Sequence, residues 1–405
     1  MKIFPFKALL PQKGREIEVS ANTHSDSIER QKEIVKSNIN SYLRVVKPYL
    51  INDEEKNPEL HFPLAKIEID RLRELNIVHK NENTSYYLYE QKNNESIESF
   101  LGLIALVSVE DYYTGKIKLH ENTITEKENQ LIEHISYCGV IGEPVLMTHL
   151  SSPIISQTLE SYKQKSPVLF DFEDEIKRQH TVYTIENESD IKEINNAYQS
   201  IESLYIADGH HRSAASAGYF KNKNITNGCY LAYIVPPEYL KIDSFYRTFK
   251  ANKSFNHTDF LEQLSIDFLI EKTNVPYLPK KEKEFGLCID NQWYVLDFKH
   301  DISSLNAAKK LDVSLLEDNV FKKILGIENS KTDNQLKFIN GNIAPEILQK
   351  DIKTKAYDAV FSVFPCKIEH VFEVADLQMI MPPKSTYIEP KMRTGLVVQD
   401  VFDQT

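Results

Sequence analysis

The apolar and polar residues of this chain change repeatedly between helical spacing and unbroken apolar runs. Helical spacing from Asp26 onwards predicts one long helix that ends before Pro48, because proline destabilises the interior of a helix. The apolar runs at 86–89 and 100–109 predict strands, the second of them buried. Further helices are predicted at 64–75, 126–137, 153–163 and 189–198.

Short apolar runs between these helices predict further strands. Strands that alternate with helices are typical of the α/β class. We therefore predict a mixed α/β (α+β) fold for this part of the chain. The predicted strands are at 144–147, 168–172, 182–185 and 204–207.

The sequence changes in character after Pro236-Pro237. Asp290-Asn291 separates two apolar runs there and predicts the turn of a hairpin. We place an approximate domain boundary near residue 250. It divides the chain into an N-terminal region, 1–250, and a C-terminal α/β region, 251–405. The elements predicted for the second region are a helix at 258–270, a hairpin at 285–298, a helix at 313–324 and a strand at 359–363.

Composition and charge narrow the class of protein. Hydrophobic residues make up 41% of the chain and charged residues 26%, which is typical of a folded protein. The 48 Lys and Arg against 59 Asp and Glu give a net charge of −11, which disfavours a nucleic-acid partner. The longest apolar run, 101–109, is about half the length that crosses a bilayer, and the apolar stretch at the N-terminus is too short for a secretory signal. We therefore expect no membrane association and a cytoplasmic location.

The four cysteines are far apart in the sequence and form no CxxC pair. This spacing indicates neither a zinc knuckle nor a disulfide framework. We expect reduced packing residues at Cys138, Cys229, Cys288 and Cys366.

The segment 204–217 carries the strongest chemical signal. An apolar strand runs into an acid, a glycine and three potentially cationic side chains, and a helix of small residues follows. The glycine allows a tight turn, and the helix start offers backbone N–H groups and a positive dipole end, which together predict an anion site. The carboxylate could take a hydroxyl proton or hold Mg²⁺. The residues of this motif are Asp208, Gly209, His210, His211 and Arg212.

The same motif can also be explained without a ligand or with a different one. Asp208 could cap the helix while the two histidines bind neighbouring carbonyl groups. A zinc site is less favoured, because adjacent histidines project in different directions and no third ligand follows at metal spacing. Four polar groups at the end of one strand favour a functional site, since ligands of open α/β sheets bind at the carboxyl ends of strands.

Two further segments could contribute. A strand-like run from Gly115 ends in His120 and Glu121, and taken alone Glu121 is more readily a loop carboxylate or a helix cap. The proline-rich stretch 381–395 holds three cations and could clamp an anion or simply form a surface connection. Its candidate ligands are Lys384, Thr386, Lys391 and Arg393.

Together these segments resemble a large, mostly uncharacterised bacterial family, the domain-of-unknown-function family numbered 1015. The resemblance covers nearly the whole chain. It rests on these motifs: Phe4-Pro5-Phe6-Lys7-Ala8, His120-Glu121-Asn122-Thr123, Ile206-Ala207-Asp208-Gly209-His210-His211-Arg212, Leu311-Asp312-Val313, Leu325-Gly326-Ile327, Met381-Pro382-Pro383-Lys384-Ser385-Thr386 and Pro390-Lys391.

The order of motifs is also similar to that of the free serine kinases, whose core is of the ParB and sulfiredoxin type. This resemblance implies a ParB/sulfiredoxin-like core with a large insertion, and catalytic carboxylates at Glu121 and Asp208. It implies that the helix tip holds the donor phosphate, with His120 near the substrate. The motifs are His120-Glu121, then Gly139, Pro144-Val145 and Asp208-Gly209-His210-His211-Arg212.

The implied activity is phosphoryl transfer to the hydroxyl of free L-serine, giving O-phosphoserine, or the reverse reaction. Magnesium is the implied cofactor. The insertion and the large C-terminal region leave the donor open between a nucleotide (ATP or ADP) and pyrophosphate, and the chain has no Walker P-loop. Two alternatives stay open: a non-catalytic nucleotide-binding regulatory module of ParB-like type, and a phosphoserine hydrolase. All of them predict small-molecule ligands.

Overall fold

The structure is a computed structural model that describes residues 1–23, 27–52, 58–93, 98–252, 255–341 and 343–404. The chain divides into two compact units. The first consists of 1–240 together with 390–405, and the second of 241–389. The last sixteen residues, which the sequence-based division assigns to the C-terminal region, therefore pack with the first unit.

The first unit contains most of the strands that position the site. In chain order the first twelve strands are β1 (Ile3–Phe4), β2 (Leu9–Pro11), β3 (Val78–Lys80), β4 (Tyr86–Asn93), β5 (Ser99–Ser108), β6 (Ile117–Lys118), β7 (Val140–Ile141), β8 (Val145–Thr148), β9 (Val168–Glu173), β10 (Arg178–Ile185), β11 (Leu204–Asp208) and β12 (Cys229–Ile234). Among the described residues the main sheet has the order β6-β11-β8-β12-β5-β4-β10-β9, and β1 pairs with β5.

The second unit has a sheet of its own. Its strands are β13 (Lys241–Asp243), β14 (Phe245–Phe249), β15 (Phe268–Thr273), β16 (Glu284–Ile289), β17 (Gln292–Phe298), β18 (Leu336–Asn340), β19 (Ala359–Val363) and β20 (Tyr387–Glu389). Among the described residues the sheet has the order β15-β17-β16-β19-β14-β18, and β13 pairs separately with β20. A further strand, β21 (Gln399–Asp400), pairs with β7 in the first unit.

The helices flank both sheets. In chain order they are α1 (Glu16–Val19), α2 (Ile28–Ser37), α3 (Leu43–Val46), α4 (Tyr49–Asn52), α5 (Pro58–Glu74), α6 (Val109–Tyr113), α7 (Thr125–Cys138), α8 (Pro153–Lys165), α9 (Glu188–Gln199), α10 (His210–Asn222), α11 (His257–Asp267), α12 (Ala307–Lys310), α13 (Asp312–Leu316), α14 (Pro345–Lys353) and α15 (Ile368–Asp376). Short 3₁₀ turns lie at Pro237–Tyr239 and Val401–Gln404, and a π-helical turn lies at Glu317–Lys322.

The mixed α/β class predicted from the sequence is confirmed. The apolar run near 100–109 forms β5, which is buried from Phe100 to Val107 and pairs with β4, β12 and β1. The predicted hairpin turn is also present, with positive φ at Asp290 and Asn291, as a two-residue turn of this kind requires. Cys138, Cys229 and Cys288 are buried, in line with their predicted role in packing.

Two predicted helices differ from the structure. One long helix was expected to begin at Asp26, a residue that lies outside the described ranges. In the structure α2 ends at Ser37, and the next helix, α3, begins only at Leu43. The side-chain Oδ1 of Asn38 accepts from the backbone N–H of Asn40 at 3.0 Å, and such local bonds compete with helical ones. The helix expected at 258–270 ends at Asp267, because the following residues pair with β17 as β15.

The strand pairing around β11 decides what lies at the end of that strand. β6 runs parallel to β11, with Leu204 opposite Ile117, so both strands end at the same edge of the sheet. β8 runs antiparallel to β11, with Asp208 opposite Leu146, so the residues before β8 lie at that edge too.

Among the described residues, none of the helices combines the length and the apolar character that crossing a bilayer requires.

Candidate active site

The turn from β11 into α10 places a carboxylate at the tip of a helix. Asp208 ends the strand, and Gly209 has a left-handed backbone with a φ of +100°. Glycine adopts this conformation without the strain that a Cβ imposes, and a Cβ here would lie 2.7 Å from Arg212 Nη2. The first N–H groups of a helix have no acceptor within it, and they lie at the positive end of its dipole. The tip of α10 therefore suits an anion.

The parallel pairing of β6 and β11 brings the second predicted carboxylate to the same tip. Glu121 follows β6 by three residues, and its Oε2 lies 3.7 Å from His210 Nδ1. The rings of His120 and His210 meet edge to face, with their centroids 4.4 Å apart. The side chains of Glu121 and Asp208 are 37% and 34% exposed, so a ligand can reach both.

Two cations hold Asp208. Arg212 Nη2 donates to Asp208 Oδ2 at 2.8 Å, and Lys391 Nζ lies 3.0 Å from Asp208 Oδ1. Lys391 comes from the C-terminal segment that packs with the first unit. The sequence-predicted residues Asp208, Arg212 and Lys391 thus form one ion-paired group at the helix tip.

A third carboxylate, Glu143, joins this group and was missed in the sequence. Its Oε2 lies 3.8 Å from Arg212 Nη1. Its Oε1 accepts hydrogen bonds from Thr23 Oγ1 at 2.8 Å and from Thr394 Oγ1 at 2.9 Å. Glu143 comes just before β8, so the antiparallel pairing of β8 with β11 places it beside Arg212. The sequence shows that Glu143 comes just before the Pro144-Val145 strand. That position predicts a place in the site only when the pairing of this strand with β11 is known.

The buried histidines at the tip are neutral. Burial lowers the pKa of His120 to about 4, although Asp208 acts in the opposite direction. Burial and the neighbouring His120 hold the pKa of His210 well below its usual value. The backbone N–H of His120 donates to His210 Nε2 at 3.4 Å, so we assign the ring proton of His210 to Nδ1, which faces Glu121. His210 therefore presents a neutral N–H donor to this site, and not a positive charge.

His211 points away from this pair. The backbone N–H of Ile124 donates to His211 Nδ1 at 3.3 Å, which places the ring proton of the neutral imidazole on Nε2. His211 also lines a cavity beside α7. The side chains of the two adjacent histidines thus point to different sides of the helix tip, as expected from the sequence for neighbouring residues.

The other residues of the proline-rich stretch have different surroundings. The guanidinium of Arg393 is buried and donates to Ser20 Oγ at 2.8 Å and to Glu175 Oε2 at 2.9 Å. It anchors its segment through these protein contacts, and its role as an anion ligand stays a prediction. Lys384 and Thr386 belong to the second unit, where Lys384 Nζ lies 5.1 Å from the centre of the Phe245 ring.

The carboxylates suit one kind of metal site. Within the described ranges, no group of three or more His, Cys, Asp or Glu side chains could enclose a metal ion. Magnesium is usually held by one or two carboxylates together with substrate phosphates and water. Glu121 and Asp208, both partly exposed at one edge, fit that arrangement.

A comparison of the sequence with models of protein families shows which family the chain belongs to. A family model described as "Protein of unknown function (DUF1015)" matches residues 3–314. The chain belongs to this family. The resemblance found in the sequence motifs is therefore confirmed. No curated protein matches the chain.

Solved structures that resemble this DUF1015 protein share little sequence with it. Free serine kinase in complex with AMP is 14% identical with a TM-score of 0.36, over 72% of this chain and 92% of that chain. A conserved hypothetical protein from Pyrococcus furiosus is 15% identical with a TM-score of 0.36, over 75% and 97%. SbnI with a C-terminal truncation, from Staphylococcus aureus, is 11% identical with a TM-score of 0.37, over 72% and 84%. A functional argument for this DUF1015 protein therefore rests on its own residues.

The turn at Gly209 gives a first prediction. Gly209→Ala forces a Cβ into a left-handed position, which costs about 1–2 kcal/mol, and also displaces Arg212 from Asp208. Gly14→Ala is the matched control, because Gly14 has a φ of +88° and no atom within 4 Å of a built Cβ. We expect both variants to lose stability in urea unfolding, and only Gly209→Ala to lose binding of pyrophosphate in calorimetry. Equal binding by the two variants would contradict the role given to this turn.

The neutral His120 gives a second prediction. Its pKa is 6.5 in the unfolded chain and about 4 in the folded one, so between these values only the unfolded chain takes up the proton. The free energy of unfolding must then fall as the pH falls, by about 2 kcal/mol for this residue between pH 7 and pH 5. We expect His120→Phe to lose that part of the pH dependence in urea titrations. The exposed His79→Phe serves as control and should keep the wild-type dependence; an unchanged dependence in His120→Phe would show that the ring is not held neutral.

Proposed function

We propose that the protein transfers a phosphoryl group between a nucleotide or pyrophosphate and the hydroxyl of free L-serine. The observation that supports this most is the meeting of two partly exposed carboxylates, Glu121 and Asp208, at a glycine-opened helix tip. Phosphoryl transfer needs positioning and charge neutralisation more than covalent participation by the protein. A reaction between small polar metabolites also agrees with the cytoplasmic location expected from the sequence.

The donor phosphate binds at the tip of α10. The backbone N–H groups of its first turn and the positive helix dipole attract phosphate oxygens. Arg212 offers a planar fork of donors, and Lys391 lies on the other side of Asp208. The Nε2 proton that we assign to His211 adds a neutral donor. Binding of phosphate draws Arg212 and Lys391 partly away from Asp208, which leaves that carboxylate to the incoming substrate.

The chemical step joins the serine oxygen to the phosphoryl group. The serine hydroxyl oxygen forms a bond to the terminal phosphorus, while the bond from that phosphorus to the leaving phosphate oxygen breaks. The hydroxyl proton passes to Glu121 or Asp208, which share proton acceptance and substrate positioning. The products are O-phosphoserine and a donor shortened by one phosphate. When Mg²⁺ is bound, Glu121 and Asp208 would hold it, and it would neutralise charge on the phosphate oxygens.

A reaction mixture can test this proposal directly. Purified protein is incubated with Mg²⁺ and O-phosphoserine, together with ADP, AMP or orthophosphate, and ³¹P NMR follows the phosphorus species. We expect loss of O-phosphoserine with formation of ATP, ADP or pyrophosphate, respectively, in at least one mixture. Phosphate release without any acceptor would instead identify a hydrolase. No consumption of O-phosphoserine or of serine with any donor would overturn the proposal.

The role of Asp208 gives a third prediction. Asp208→Asn keeps the shape of the side chain but removes the charge that Arg212 and Lys391 contact. We expect turnover to fall by at least 10³-fold, because both proton acceptance and cation placement suffer. Asp171→Asn, an exposed aspartate in β9, is the control and should keep wild-type turnover. Wild-type turnover in Asp208→Asn, with serine and every donor, would remove Asp208 from the site.

The role of Arg212 gives a fourth prediction. Phosphate contacts at a helix tip exist in the ground state as well as the transition state, so Arg212→Ala should chiefly raise KM for the donor. The loss of a charged hydrogen bond, about 1.5–3 kcal/mol, corresponds to roughly a 10- to 100-fold increase. Steady-state kinetics measure it, with the exposed Arg30→Ala of α2 as control. An unchanged donor KM in Arg212→Ala would mean that the guanidinium does not contact the donor.

A further inference from the structure

A large cavity lies beside the helix tip in the first unit. It has a volume of about 570 Å³, within the range of small-molecule sites. Residues of α3, α4, α5, α7 and the first turn of α10 enclose it. Its lining comprises Val46, Pro48, Tyr49, His61, Phe62, Lys127, Gln130, Leu131, His134 and His211.

The lining has an apolar part and a polar part. Tyr49, Phe62 and Leu131 offer aromatic and aliphatic surface, and Lys127 and Gln130 offer polar groups on α7. Apolar and aromatic walls with a few polar groups are typical of small-molecule pockets, and aromatic side chains pack well against a flat organic ring. Serine and pyrophosphate are small and strongly polar, so neither would cover the apolar part of this lining.

His61 supplies an independent sign of a ligand. The side chain is buried, with a relative exposure of 3%, and it lines the cavity. Within the described part of the chain, neither of its ring nitrogens has a hydrogen-bond partner. A buried polar group without a partner costs about 1–3 kcal/mol, so such groups in native proteins call for an explanation. A ligand that enters the cavity and displaces the side chains covering these nitrogens provides one.

The cavity borders the proposed phosphate site. His211 belongs to the first turn of α10 and also lines the cavity. A smaller cavity of about 60 Å³ shares Val46, Leu131 and His134 with the large one and is also lined by Arg212. A molecule with a ring in the large cavity can therefore extend a phosphate end to the tip of α10.

We propose that this cavity is the nucleoside subsite of the phosphate donor. The base packs among Tyr49, Phe62 and Leu131, His61 hydrogen-bonds to its polar edge, and the phosphates extend towards His211 and Arg212. This inference rests on the proposed phosphoryl transfer at the α10 tip. It favours a nucleotide over inorganic pyrophosphate as the donor, since pyrophosphate leaves the cavity unused.

Binding measurements on the full chain separate the subsite from the phosphate site. Calorimetry with ADP and with pyrophosphate is carried out on the wild type, on His61→Leu and on Leu131→Trp, which fills the cavity. We expect each variant to weaken ADP binding at least tenfold and to change pyrophosphate binding less than twofold, since only ADP carries a nucleoside. Retained pyrophosphate binding also shows that the variant is folded. Lys127→Ala, an exposed position at the cavity, should weaken ADP binding, whereas the exposed Lys192→Ala of α9 should not.

The outcomes distinguish this inference from the proposed function. Equal ADP affinity in the wild type, His61→Leu and Leu131→Trp overturns the nucleoside subsite, even when phosphoryl transfer to serine is observed. Turnover with pyrophosphate that equals or exceeds turnover with a nucleotide also overturns it. Loss of ADP binding in the cavity variants, in a protein that shows no transfer to or from serine, supports the subsite and contradicts the proposed function instead.

Discussion

The candidate site depends on one short parallel pairing, in which Leu204 of β11 lies opposite Ile117 of β6. Because parallel strands end at the same edge of a sheet, this register brings Glu121 to the helix that follows Asp208. The antiparallel neighbour β8 brings Glu143 to the same edge from the other direction. A shift of β6 by one residue would turn its side chains to the opposite face and remove Glu121 from His210. The chemistry at the tip is thus a consequence of strand direction.

The charges at this edge suit a ligand that arrives with a cation. Among the described residues, Arg212 contacts the carboxylates of Asp208 and Glu143, and Lys391 contacts Asp208. Glu121 lies beside His210, whose low pKa leaves it without a positive charge. Carboxylates attract a divalent cation, while the cationic side chains and the helix dipole attract phosphate oxygens. The edge therefore suits a donor phosphate that carries a divalent cation.

Features that depend on neighbouring residues could be predicted from the sequence. Periodicity predicted α7, α8 and α9, and the glycine within Asp208-Gly209-His210 predicted the turn into α10, because the requirement for a left-handed residue is carried by that residue itself. Sequence reasoning failed where distant segments meet. The pairing of Lys391 with Asp208 requires the C-terminal segment to return to the first unit, and the burial of Arg393 against Glu175 requires the same return. Asn38, where a predicted helix ends early, likewise contacts a distant segment through its bond to the Glu18 carbonyl, twenty residues away.

The most direct measurement is a crystal structure of the protein grown with O-phosphoserine and Mg²⁺. The account predicts electron density for the phosphoryl group against the backbone N–H groups at the start of α10, within hydrogen-bond distance of Arg212. It also predicts that a carboxylate oxygen of Glu121 or Asp208 lies beside the serine oxygen. Density for the phosphoryl group elsewhere on the protein, with the α10 tip closed by the protein's own side chains, would contradict it.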